Sequence, residues 1–234
     1  MLDTYKFIEK YKRISIIGME KNVGKTTLLN KLIADIGTNK KLGLTSIGRD
    51  GEDIDVVTNT DKPRIYVRRG SIIATGRNCL AKCDITKEIL YVTDFTTPMG
   101  SIVIVRALSD GYVDIAGPSY NKQVKIVVEL MEKFGSEISI VDGALGRKST
   151  AISDVSEATI LSTGAALSLD MLKVVEETKK TVYFLKLDEA EKNIKDRVEE
   201  LRDKKAVLFY KNGEVAILEV DNSIDLSNIL KEYL

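Results

Sequence analysis

Hydrophobic residues along the chain form two kinds of pattern that take turns. Short apolar runs rich in β-branched residues have the length of buried strands, and between them lie stretches with apolar residues three and four positions apart, as on one face of a helix. The strand-like runs are 13–18 (RISIIG), 42–48 (LGLTSIG), 137–146 (EISIVDGALG) and 158–164 (ATILSTG). The helical stretches between them are 25–37 and 121–135. Strands alternating with helices predict an α/β fold with a doubly wound, mostly parallel sheet.

Residues 61–120 interrupt this alternation. The segment is β-rich, with turn signals at Arg69-Gly70 and Asp110-Gly111. We expect a largely antiparallel insertion or sheet edge between the second strand and the helix over 121–135. Because no internal repeat or low-complexity linker is visible, we predict a single domain over 1–234 that carries this insertion at about 61–120.

The C-terminal part of the sequence predicts further helices, a strand and a hairpin. Asn212-Gly213 lies between two apolar runs and predicts a hairpin. The other predicted elements are a helix over 167–180, a fifth strand over 181–187 (TVYFLKL), an amphipathic helix over 188–204 and a last helix over 225–234.

Composition excludes several functions. Lys+Arg and Asp+Glu number 35 each, so no net field attracts nucleic acid or an anionic membrane. The chain has no histidine, which excludes Ser-His and Cys-His nucleophile pairs and histidine-ligated zinc. No apolar run approaches the length of about 20 residues that a membrane span needs, and the charged start has no apolar core of a secretory signal. The two cysteines, Cys79 and Cys83, are expected to be free thiols on one helix face of a cytoplasmic protein.

The stretch GMEKNVGKTT, after the first strand, has the ending of a phosphate-binding loop. The standard loop has four residues between its two glycines. Counted back from Gly24, the position of the first glycine holds Met19, and the glycine lies one residue earlier, at Gly18. A strand, a glycine-bearing turn and a helix start form the context that this loop requires. Lys25 is then placed at the β- and γ-phosphates and the Thr26 hydroxyl at Mg²⁺. The alternative is a turn that merely caps an ordinary helix.

The five-residue spacing resembles the loop of dethiobiotin synthetases and the related cobyric acid synthases, P-loop NTPases with the pattern Gly-x5-Gly-Lys-Thr. That resemblance implies ATP and Mg²⁺ as cofactors. Residues VDGALGR, from Val141, are similar to the family's later strand end, which puts Asp142 in the place of its acid, and GRDGEDID after the second strand offers Asp50, Asp53 and Asp55. The implied nucleotide-binding residues are Gly18, Asn22, Val23, Gly24, Lys25, Thr26 and Thr27. The implied catalytic residues are Lys25 and Asp142, and the implied metal ligands are Thr26, Asp142, Asp50 and Asp53.

Each acid has a simpler alternative. Asp142 begins an Asp-Gly pair, which is common in turns, although its place at a strand end in an α/β sheet favours a ligand site. The acidic run over 49–55 has the composition of solvated surface. In the insertion, Arg64, Arg68, Arg69 and Arg77 either form a specificity surface or lie in solvent.

Three function classes follow from these resemblances. TSIGRDGE and DGALGRKST are similar to P-loop proteins that accompany clostridial lysine and ornithine aminomutases, which implies an ATP-hydrolysing accessory protein for a B12-dependent aminomutase or another partner enzyme. Dethiobiotin synthetases imply an ATP-dependent enzyme that activates a small carboxylate or carbamate. The acid-rich segment also resembles GTP-binding adaptors of molybdopterin cofactor assembly. Because the Asn-Lys-x-Asp guanine motif is missing from FLKLDE (184–189), we favour ATP. A homodimer stays open.

Overall fold

The structure is a computed structural model that describes residues 6, 8–48, 54–55, 60–61, 64–143, 155–188, 190–201, 203–204, 206–210 and 212–218. Contacts within the chain divide it into two compact units, Met1–Val182 and Tyr183–Leu234. The two units are described separately below. The single domain predicted over 1–234 stays a prediction.

The described chain contains thirteen strands and five helices. In order, the strands are β1 (Arg13–Gly18), β2 (Leu42–Ser46), β3 (Ile54–Asp55), β4 (Thr60–Asp61), β5 (Ile65–Val67), β6 (Ile72–Gly76), β7 (Lys87–Thr97), β8 (Gly100–Ala107), β9 (Gly111–Val113), β10 (Ile138–Asp142), β11 (Ala158–Ser162), β12 (Val207–Phe209) and β13 (Val215–Ile217). The helices are α1 (Lys25–Ile36), α2 (Arg77–Leu80), α3 (Asn121–Lys133), α4 (Met171–Leu185) and α5 (Lys192–Glu200).

A seven-stranded sheet in the order β11-β1-β10-β2-β6-β8-β7 forms the centre of the first unit. Its first five strands run parallel to one another. The last two, β8 and β7, are antiparallel to their neighbours. The prediction of a mixed α/β fold with a large, mostly parallel sheet is therefore confirmed.

Neighbouring residues of a strand point to opposite faces of the sheet, so apolar strands have two apolar faces, and helices cover both of them. Ile140 packs in a core with the apolar side of α1, whereas Val141 packs in a second core with the apolar side of α3. We call these the α1-side core and the α3-side core. The helical stripe predicted from the sequence is fully buried in the second one, at Val124, Val127, Val128 and Met131.

The segment 61–120 supplies the antiparallel strands. β6 joins the parallel sheet beside β2, and β8 and β7 extend it, while β5 and β9 pair separately. Gly70 adopts a φ of 92° in the predicted Arg69-Gly70 turn, a conformation that a side chain would strain. A stretch over 114–118 then leads back along the sheet to α3.

The strand predicted over 181–187 is wrong, because α4 continues to Leu185. Residues 181–185 contain no glycine or proline that would end a helix, and a short apolar run fits a helix as well as a strand. The amphipathic helix is confirmed as α5. The hairpin is confirmed as β12–β13, with Gly213 at a φ of 89° in its turn. The last predicted helix, over 225–234, lies outside the described residues.

Among the helices that the structure describes, none combines the length and the apolar character required to cross a lipid bilayer.

Candidate phosphate and metal site

The loop between β1 and α1 has the backbone of an anion site. Asn22 and Gly24 have positive φ angles of 59° and 87°, which turn the chain sharply before the helix. Gly24 caps α1 without a side-chain hydrogen bond, and the first turn of α1 contains no acidic residue. The N–H groups at the helix start and the positive end of its dipole are therefore left for an external anion.

Lys25 lies folded over the end of β1. Its Nζ donates a hydrogen bond of 2.9 Å to the carbonyl oxygen of Glu20. A Cβ atom added at Gly18 would lie 2.8 Å from both Cδ and Nζ of Lys25, and 2.7 Å from Cγ2 of Val23. A side chain at position 18 would therefore displace Val23 and Lys25, which favours glycine there and gives the unusual spacing a physical reason.

Gly18→Ala and Gly24→Ala are expected to differ in their effects. The first forces Lys25 and buried Val23 aside, so we expect it to destabilise the protein by about 1–3 kcal/mol and to weaken phosphate binding. Gly24 has nothing within 4 Å of an added Cβ, so its substitution strains only the backbone, by about 1 kcal/mol. Urea unfolding of both variants tests this; equal losses of stability would contradict the close approach at Gly18.

Asp142 ends β10, directly between β1 and β2. It lies opposite Ile16 on one side and Ser46 on the other. Its Oδ1 atom is buried and has no hydrogen-bond partner in the described part of the chain. Burial raises the pKa of this carboxyl group from 3.8 to about 6, while the nearby positive charge of Lys25 acts to lower it. A buried carboxylate oxygen without a partner needs an explanation, and a cation or a protonated ligand supplies one.

A stretch of the insertion forms one wall beside this strand end. Ser46 accepts a hydrogen bond of 2.9 Å from the N–H of Gly117 through its Oγ, and the N–H of Gly48 donates to the Pro118 carbonyl at 2.9 Å. Gly117 approaches the sheet so closely that an added Cβ would lie 1.9 Å from the Ser46 carbonyl oxygen. The sequence did not identify Ser46 or Gly117, since their pairing depends on residues 71 positions apart.

The other predicted site residues differ in their exposure, and two of them lie outside the described residues. Thr26 is half-buried in the first turn of α1, Thr27 and Asn22 are exposed, and Val23 is buried. Asp50 and Asp53 lie outside the described residues. Among the residues that the structure describes, no three acidic, cysteine or histidine side chains group together as a metal cluster. The described part of the predicted metal site therefore consists of Thr26 and Asp142.

The two cysteines are free thiols, as expected, but they do not share a helix face, since α2 ends at Leu80. Cys83 donates from its Sγ to the Cys79 carbonyl oxygen at 3.2 Å. Burial raises the pKa of the Cys83 thiol, which disfavours the reactive thiolate.

The arginines of the insertion are in different situations. Arg64 is held within the insertion by Asp84, at 2.6 Å between Nη1 and Oδ2. Arg68 has a buried Nε without a hydrogen-bond partner in the described part of the chain. Arg69 is exposed, and its backbone N–H donates to Asp110 at 2.7 Å. Arg64 is therefore structural, whereas Arg69 presents its side chain to solvent.

No family model, curated protein or solved structure matches the chain. The interpretation of the site therefore depends on the residues themselves: an uncapped helix start, a lysine beside it and a buried carboxylate at the adjacent strand end.

Proposed function

We propose that this chain is an Mg·ATP-binding P-loop NTPase that hydrolyses ATP slowly and acts as an accessory protein on a partner enzyme. The observation that carries the proposal is Asp142, whose buried Oδ1 has no hydrogen-bond partner among the described residues and which ends the strand next to β1, the strand before the loop of Lys25. In α/β sheets ligands bind beyond the carboxyl ends of the strands, and Asp142 ends such a strand.

Phosphate binding is supported by the helix start. The free N–H groups at the start of α1 and the helix dipole favour an anion. The loop and the first helical turn contain two side-chain cations, Lys21 and Lys25. Nζ of Lys25 donates a hydrogen bond to a backbone carbonyl of the same loop, that of Glu20. We infer that phosphate oxygens replace this carbonyl, which leaves the lysine beside the β- and γ-phosphates.

Metal binding is supported by the donor set. Thr26 offers a hydroxyl and Asp142 a carboxylate, which are the hard oxygen ligands that Mg²⁺ prefers when phosphates and water fill its other positions. Asp50 or Asp53 would add a further carboxylate. When bound, Mg²⁺ neutralises the charge of the phosphates and of Asp142. Burying the charged carboxylate oxygen of Asp142 costs free energy when no cation is present, and a bound Mg²⁺ would offset that cost.

Hydrolysis without a strong base is expected to be slow. The chain has no histidine, and in this proposal Asp142 holds the metal and does not accept a proton from water. Slow turnover that a second protein accelerates is the behaviour of a switch or a remodelling factor. Adenine is favoured because the guanine motif is absent, and the aminomutase-like segments indicate a B12-dependent enzyme as the class of partner.

Calorimetric titration with Mg·ATP and Mg·GTP, followed by phosphate-release assays, tests the proposal. We expect ATP to bind more tightly than GTP, with slow hydrolysis that a B12-dependent aminomutase stimulates. Phosphorylation of a small carboxylate or carbamate would favour the ligase class, and tighter GTP binding would favour the adaptor class. Failure to bind either nucleotide would reject the P-loop interpretation altogether.

A further inference from the structure

β7 is an 11-residue strand at the edge of the seven-stranded sheet. One side of it pairs with β8, while no strand in the described part of the chain pairs with its other side. An edge strand of this length presents a row of unpaired N–H and C=O groups. Large apolar side chains are also exposed at its middle, with Ile89 at 64%, Tyr91 at 46% and Val92 at 53% exposure. Among the described residues, this edge therefore combines unpaired backbone groups with exposed apolar side chains.

The pairing of β7 with β8 is irregular at two places, between Ile89 and Tyr91 and between Val92 and Thr96, and the first of these is a bulge at the middle of the exposed apolar residues. Ile89 lies opposite Val105 and Tyr91 opposite Ile104, so Leu90 is an extra residue. Because Val105 belongs to the α1-side core, Ile89 lies on that face, and Val92, opposite Val103, lies there too. Tyr91 shares the other face with Ile104, and Leu90 packs against that α3-side core. The bulge therefore places Ile89 and Val92 on one face and Leu90 and Tyr91 on the other.

The bulge restricts how the middle of β7 can pair with a copy of itself. In an antiparallel pair, residues directly opposite each other point to the same face of the sheet. With a two-fold axis between Leu90 and Tyr91, every opposed pair over 87–94 meets this condition. Moving the axis half a residue either way sets Ile89 against Tyr91, or Leu90 against Val92, on opposite faces.

We propose that β7 is a homodimer interface, in which it pairs antiparallel with β7 of a second copy about a two-fold axis between Leu90 and Tyr91. The two seven-stranded sheets then become one continuous sheet. The opposed pairs, each formed twice, are Lys87 with Asp94, Glu88 with Thr93, Ile89 with Val92, and Leu90 with Tyr91.

The charges along the strand are complementary in this register. Lys87 lies opposite Ala107 of the α1-side core. The register shifts again between Val92 and Thr96, but Phe95 packs against the α3-side core, so Asp94 before it lies on the α1 side and the two opposite charges face each other. Lys87 Nζ donates to the Leu80 carbonyl at 2.8 Å, which uses one of its three hydrogens. Glu88 is already paired with Arg106 at 2.6 Å and meets a neutral threonine. No like charges oppose each other, and the apolar pairs occupy the centre.

The same features have an alternative role in a monomer. Charged residues and bulges are devices by which proteins prevent their edge strands from pairing. A protective edge has no reason to be complementary to itself, whereas an interface must be. Reversal of the two complementary charges separates these roles.

Sedimentation velocity of the full chain over a concentration series, without nucleotide, tests the proposal with Lys87→Asp, Asp94→Lys and the double swap. Each single reversal sets two like-charge pairs against each other, and we expect it to weaken dimerisation about tenfold or more. The double swap restores two Lys–Asp pairs and is expected to recover the wild-type dissociation constant. Lys125→Asp, an exposed charge reversal on α3, is the control and leaves dimerisation unchanged.

Several outcomes would overturn this interface. A wild-type protein that stays monomeric at every concentration assigns the bulge and charges to edge protection. A dimer that neither single reversal weakens uses another surface, and a folded double swap that stays monomeric refutes the register. Asp94 is exposed and forms no ion pair with any described residue, so Asp94→Lys carries the single-reversal test if Lys87→Asp disturbs the contact with Leu80.

Discussion

Lys25→Ala is expected to lower the affinity for Mg·ATP by about 10- to 100-fold. Hydrogen bonds between charged groups contribute about 1.5–3 kcal/mol, and each 1.4 kcal/mol is a factor of ten in affinity. The variant keeps a good helix former at the start of α1, so the protein is expected to fold. Isothermal titration calorimetry of the wild type and the variant measures the difference.

Lys31→Ala is the matched control for this experiment. Lys31 lies on the same helix and carries the same charge, but it is exposed and pairs with Asp35 at 2.7 Å, two turns away from the loop. We expect its nucleotide affinity to equal that of the wild type. Equal affinities of all three proteins would reject Lys25 as a phosphate ligand and leave the loop as an ordinary helix-capping turn.

Local patterns in the sequence predicted the parallel core correctly. The strand RISIIG is buried from Ile14 to Gly18, and the α3 stripe is buried throughout. Both depend on apolar side chains that must leave water wherever the chain places them, so spacing alone is sufficient to find them. The sequence did not predict the order of the strands in the sheet, because that order depends on contacts between distant residues. It predicted the antiparallel part, which β6 joins to the parallel strands, only as a β-rich insertion.

Features that depend on distant contacts were missed. The extra residue Leu90 follows from how β7 meets β8, and nothing in its local sequence marks a bulge. Ser46 was overlooked because its partner, Gly117, lies in the insertion. The helical residues 181–185 were assigned to a strand because a short apolar run carries no reliable period. The loop spacing was recognised by resemblance, but its cause, the lack of room for a side chain at Gly18 beside Val23 and Lys25, depends on the folded loop.

Asp142→Asn is expected to stabilise the nucleotide-free protein at neutral pH. A carboxyl group whose pKa is raised to about 6 in the fold, against an ordinary 3.8, adds stability that is fully present below about pH 4 and is lost as the pH rises through about 6. This difference corresponds to an upper value of about 3 kcal/mol at pH 7, which the neutral amide avoids. Urea unfolding from pH 4 to 8 with a chelator should show the advantage of Asn growing with pH.

Asp196→Asn, on the exposed surface of α5, is the control for this series, and we expect no stability change at any pH. A stability advantage of Asp142→Asn that is absent at pH 7, or that grows towards low pH, would contradict the interpretation of Oδ1 as a buried oxygen without a partner among the described residues.

The same substitution is expected to reduce Mg²⁺-dependent hydrolysis by about 10- to 100-fold while ATP binding without metal stays unchanged. Phosphate release measured over a Mg²⁺ titration tests this, with ATP titrations in chelator as the control for binding. If Asp142 is only a turn residue at the end of β10, Asp142→Asn should lower the stability of the protein or leave it unchanged, and hydrolysis should stay at the wild-type level. A site carboxylate instead gains stability and loses activity in one substitution, because its charge is unfavourable in the empty fold and is needed only when the metal binds. Opposite signs of the two effects therefore distinguish a metal ligand from a structural aspartate.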